Sequence, residues 1–103
     1  MASLPTALAA TAPDGILDLC RRFHVRRLDL IGSATDGRFD PLHSDLDFLV
    51  VFEDLPGSAY FELRAALTEL FGRDVDLLTE ATLANPYLRR QVEAQRQRLF
   101  PPI

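Results

Sequence analysis

Asp45 and Asp47 stand two apart in Asp45-Leu-Asp-Phe-Leu-Val-Val-Phe52, a segment that turns almost wholly apolar after its second acid. Side chains alternate along an extended strand, so both carboxylates share one face. Two like charges so placed repel unless a cation lies between them, and oxygen-only ligands favour Mg2+ over zinc. Upstream, a strand over Val25 to Ile31 stops at Gly32-Ser33, a bend that offers backbone N–H groups and a hydroxyl to an anion. A third carboxylate lies in the short strand Val75-Asp-Leu-Leu78. Asp74 and Asp76 alternate onto one face of it, and the Val-Asp-Leu context favours Asp76. A phosphate cradle facing three carboxylates describes a phosphoryl- or nucleotidyl-transfer site working with two metal ions.

These residues carry a resemblance. Gly32-Ser33, a spacer, and Asp45-Leu-Asp47 leading into an apolar strand resemble the GS…DxD signature of the DNA polymerase β-type nucleotidyltransferase superfamily. The small size is similar to its minimal nucleotidyltransferase (MNT) branch. The likeness extends to Cys20-Arg-Arg-Phe-His-Val-Arg-Arg-Leu28 before the bend, to Val75-Asp-Leu77, and to Asn85-Pro-Tyr-Leu-Arg-Arg90. It implies that Gly32 and Ser33 contact the nucleotide phosphates and that Asp45 and Asp47 ligate Mg2+. It also implies that Asp76 binds metal and helps deprotonate an acceptor hydroxyl. The implied reaction moves AMP from ATP onto a hydroxyl with release of pyrophosphate, two Mg2+ ions being held with the nucleotide. The implied partner is a HEPN-domain toxin, whose tyrosine would be the acceptor, with this chain as its antitoxin in a hetero-oligomer.

Two rival readings are weighed against it. A non-catalytic antitoxin would keep the fold and neutralise its partner by masking it; intact Gly32, Ser33, Asp45, Asp47 and Asp76 argue against such decay. Transfer to a small hydroxylated molecule such as an aminoglycoside would call for a binding domain after the core. Two departures from the family pattern are visible. Eleven residues separate Ser33 from Asp45, one more than the commonest spacing, and Ala34, Thr35 and Asp36 stand where a basic residue usually follows the Gly-Ser pair. Arg38 is the candidate to balance the triphosphate charge instead.

The elements that must position these residues follow from periodicity. Thr11-Ala-Pro13-Asp14 reads as a helix start, with Ile16, Leu17, Leu19, Cys20 and Phe23 at helical spacing after it. Residues 33–44 are polar, with Gly37, Asp40 and Pro41, and read as a turn and loop. Glu53 to Gly57 closes the second strand. Ser58 to Phe71 puts Tyr60, Leu63, Leu67, Leu70 and Phe71 on one side of a helix, and Gly72 sits where a cap belongs. Asn85-Pro86 opens a last helix whose apolar edge runs Leu88, Val92, Leu99 and Phe100, with Arg89, Arg90, Arg96 and Arg98 on its solvated face or docking an acidic partner or a bound phosphate. The expected architecture is α/β (α+β): helices packed on a small mixed sheet, in the order α-β-turn-β-α-β-α. Residues 1–12 are expected to form a loose tail and residues 13–103 one nucleotidyltransferase domain.

Bulk numbers bound the rest. A chain of 103 residues at 48% hydrophobic content suits one core. The longest apolar run, Phe48 to Phe52, is far below the roughly 18 residues of a membrane span, so no membrane is expected. All 11 basic residues are Arg, which removes lysine-dependent Walker and pyridoxal chemistry. A formal charge of -4 argues against direct nucleic-acid binding. Cys20 is the only cysteine, which fits a reducing compartment, the cytoplasm. Cys20, Tyr60, Phe61 and Phe71 read as packing residues, and His24 and His43 as structural or solvated ones.

Overall fold

The computed structural model describes residues 13–32 and 45–101. The expected N-terminal tail, Ser33, Arg38 and His43 lie outside them. Helix α1 spans Pro13–Arg22 and leads into strand β1, Val25–Ile31. Strand β2, Leu46–Phe52, is followed by helix α2, Ala59–Phe71, and strand β3, Val75–Thr79. A 3-10 turn over Glu80–Ala84 then precedes helix α3, Pro86–Gln95, and strand β4, Gln97–Phe100.

The four strands make one mixed sheet in the order β3-β2-β1-β4. β1 runs antiparallel to β2 and to β4, whereas β2 and β3 are parallel. The parallel pair needs a crossover, which α2 supplies. Period two divides the sheet's side chains between two layers. Leu28, Leu30, Leu46, Phe48 and Val50 face α1 and α2, where Ile16, Cys20, Leu63, Leu67 and Phe71 complete the main core. Ile31 and Leu49 face the other way, against Leu83 and Val92. β2 is therefore covered on both sides, as its apolar second half predicts.

Local chemistry fixes the boundaries. Gly72 ends α2 at φ 66°, a left-handed conformation that glycine adopts without a Cβ penalty, and its N–H donates to the Thr68 carbonyl. Asn85 opens α3: its side-chain oxygen accepts from the N–H groups of Tyr87 and Leu88, and Pro86 occupies the first turn. The exposed edge of β3 is tied to α2, because the Tyr60 hydroxyl donates to the Leu77 carbonyl and Arg64 Nε donates to that of Val75 at 3.1 Å.

Three expectations are corrected. The last helix stops at Gln95, and Gln97–Phe100 is a strand paired with β1, so Leu99 and Phe100 pack against the main core from the sheet. Long-range pairing outweighs the helical spacing of those two residues. Consequently Arg96 and Arg98 leave the helix face, and Arg96 turns inward to an ion pair with buried Asp29. Phe61, expected in the core, is 68% exposed, because the buried stripe of α2 runs through Leu63, Leu67 and Phe71.

Candidate active site

The acids meet where β1 ends and where β2 and β3 begin. In the sheet register Asp47 lies between Ile31 of β1 and Asp76 of β3. Asp45 sits one residue before β2 and is exposed, as is Asp76; Asp47 is half-buried between them. The Asp47 carboxyl is raised to about 6, first by burial and then by the charge of Asp76, a side-chain hydrogen bond with Asp76 and the charge of Asp45. These are the marks of like charges crowded at a partly dry spot. Among the described residues no three acidic, histidine or cysteine side chains already close on one point as a finished metal cage.

Register also separates Asp74 from Asp76. β3 begins at Val75, so Asp74 precedes the strand, and its carbonyl accepts from the Leu46 N–H at 3.1 Å. Asp76 is the acid opposite Asp47. The two edge carbonyls that α2 side chains hold belong to Val75 and Leu77, one on each side of Asp76, which pins its strand against β2.

Gly32 closes the other side. Its φ is +77°, and a Cβ placed there would stand 3.3 Å from Asp47 Cγ and closer still to Oδ2. The left-handed turn and the close approach each call for glycine. Gly32, Asp45, Asp47 and Asp76 thus converge at one end of the sheet, whereas Ser33 lies outside the described residues. Cys20 is elsewhere, buried in the main core, where burial pushes its thiol up to about 12.

Sequence reasoning overlooked Asp29. It is the one charged residue fully buried among the described residues, on β1 three positions before Gly32. Arg27 Nε lies 2.9 Å from its carboxylate and Arg96 Nη2 lies 2.6 Å from it. An acid inside an apolar strand signals such a partner, but the strand pattern did not say which arginine it would be.

A parallel strand pair carrying facing acids, beside an antiparallel strand ending in a glycine bend, defines a small α/β protein with an acidic centre at one end of its sheet. The chain belongs to the nucleotidyltransferase domain family, whose model matches residues 15–99. By that membership it is a nucleotidyltransferase. It is 33% identical over 75 residues to a protein of Methanocaldococcus jannaschii that carries the provisional name protein adenylyltransferase, a match covering 70% of this chain and 74% of that one. A solved structure provisionally described as a minimal nucleotidyltransferase superposes with a TM-score of 0.70 at 34% identity, covering 88% of each chain. A chain of the complex between the tri-AMPylated HEPN toxin of Shewanella oneidensis and an MNT antitoxin superposes at 0.61, with 27% identity, 87% of this chain and 70% of that one.

Proposed function

We propose that this chain transfers AMP from ATP to a hydroxyl, a tyrosine of a HEPN-type toxin, and acts as antitoxin of the pair. The observation that carries the reading is Asp47 set between Asp76 and the Gly32 bend, with Asp45 close enough to raise its pKa. The similarity to a chain of a complex whose toxin is AMPylated supports the choice of donor and partner.

The donor set fits magnesium. Asp45, Asp47 and Asp76 offer only carboxylate oxygens, and the burial and like-charge crowding that raise the Asp47 carboxyl are what a divalent cation would offset. When bound, Mg2+ supplies charge neutralisation at the phosphates and lowers the pKa of an attacking hydroxyl. Two ions suit the nucleotide-bound state. Gly32, lacking a Cβ, makes room for the Asp47 carboxylate at the bend, and Ser33 would add backbone N–H and hydroxyl donors for the phosphates. Asp76, opposite Asp47 on the neighbouring strand, takes the acceptor proton; Asp45 and half-buried Asp47 would hold the metal against the phosphates. Leu49 and Ile31 exclude water from the inner side of Asp47.

The test incubates the purified chain with Mg2+, ATP labelled at the α-phosphate, and the co-encoded HEPN protein. Label is expected on a partner tyrosine and is lost with Asp47→Asn. If the two proteins bind tightly while no label moves, the chain neutralises its partner by masking and the transfer reading falls.

A further inference from the structure

Resting on the nucleotide site just proposed, we infer that the buried Asp29–Arg96 ion pair is a positioning device for it, holding the end of β1 so that the Gly32 bend grips the triphosphate.

Asp29 is wholly buried, yet it belongs to the sheet face that carries Ile31 and Asp47. A buried ion pair seldom adds net stability over an apolar pair of the same size, and its best-attested use is to select one arrangement of the elements it joins. Here the elements are three. Arg96 Nη2 reaches Asp29 of β1 at 2.6 Å, Nη1 reaches Glu93 in the last turn of α3 at 2.9 Å, and Arg96 itself is the one residue between α3 and β4. One guanidinium thus fixes the α3 end, the β4 start and the middle of β1, across 67 residues of sequence.

The place of this clamp along β1 is what ties it to the nucleotide. β4 is a four-residue edge strand, and its pairing reaches Leu30 opposite Gln97, two residues short of Gly32. Arg96, next to Gln97 in the chain, reaches back to Asp29, so the clamp grips β1 beside its last pairing with β4 and three residues before Gly32. Arg27, on the solvent side of Asp29, is 40% exposed and touches no second element in its ion pair, so it neutralises charge without clamping. Loosening Arg96 would shift the edge of β1 that runs on through Ile31, the partner of Asp47, to Gly32, where a missing Cβ is what makes room for the Asp47 carboxylate.

The test measures the dissociation constant of the full-length chain for ATP with Mg2+, with folding checked by circular dichroism. Arg96→Ala and the near-isosteric Asp29→Asn are each expected to weaken binding about tenfold, and the double variant by no more than the larger single one, since both act through one contact. Arg96→Lys, which keeps the charge and loses the fork, is expected to recover part of the affinity. A merely structural pair would lower the melting temperature of folded variants and leave their ATP affinity unchanged, and that result overturns the inference. Because Asp29→Asn changes no shape, it carries the test if Arg96→Ala does not fold. Absence of ATP binding by the unaltered chain would overturn the nucleotide site and the clamp together, whereas equal binding by all chains overturns the clamp alone.

Discussion

Gly32→Ala probes the contact between the β1 bend and Asp47 with a single methyl group. At φ +77° any other residue stands in the left-handed region, at a cost of about 1–2 kcal/mol. The new Cβ would also overlap Asp47 Oδ2, forcing that side chain off its rotamer for about 0.5–1.5 kcal/mol more. Together these destabilise by about 2–3 kcal/mol, which lowers the melting temperature of a domain this size by roughly 10–20 °C. From an initial stability of about 5 kcal/mol or more, the folded fraction at 20 °C stays above roughly 95%. Unfolding therefore cannot account for a large loss of activity. Displacing Asp47 by about 1 Å can, since misplacement of that size costs on the order of 100-fold in rate. The assay is transfer of labelled AMP to the partner at 20 °C, beside thermal unfolding followed by circular dichroism. Full transfer by a folded Gly32→Ala chain would refute both the close approach and the role given to the bend.

Three further outcomes are expected. The raised Asp47 carboxyl stabilises the metal-free fold in its protonated form, so its contribution is complete below the unfolded value of 3.8 and is lost as pH rises through about 6. Measured by urea unfolding in EDTA, Asp47→Asn should be more stable than the unaltered chain at pH 7.5, the gap closing toward pH 4.5; a gap independent of pH would contradict the crowding of acids. Asp76→Asn should abolish AMP transfer while Asp74→Asn keeps most of it, because only Asp76 lies opposite Asp47; equal losses would mean that the β2–β3 register is misassigned. Cys20, buried with its thiol pushed up to about 12, should resist alkylation at pH 8 until denaturant is added, and rapid labelling of the native chain would show that α1 opens readily.

Which of these features the sequence could reveal depends on the range of the interaction that creates them. Periodicity and capping are local, and they placed α1, β1, β2, α2 with its Gly72 cap, and the Asn85-Pro86 start of α3 close to their observed bounds. The shared face of Asp45 and Asp47 is local too, a consequence of strand geometry alone. The Val-Asp-Leu context favoured Asp76 over Asp74, but both alternate onto one face, and only the pairing with β2 shows which of them lies opposite Asp47. β4 is less local still. Gln-Arg-Leu-Phe follows α3 after a single residue, with no glycine or proline to mark the break, and becomes a strand because β1 has an open edge beside it. Asp29 belongs to the same category: beside its near neighbour Arg27, its second partner, Arg96, is 67 residues away and stands next to β4. The acids that meet at the end of the sheet were therefore visible as a motif, while the contacts that hold their neighbouring strand were not, since the spacing of the acids is local and the sheet's register decides what supports them. If that division is right, substitutions at Asp29 and Arg96 will alter nucleotide affinity although neither residue lies in the motif.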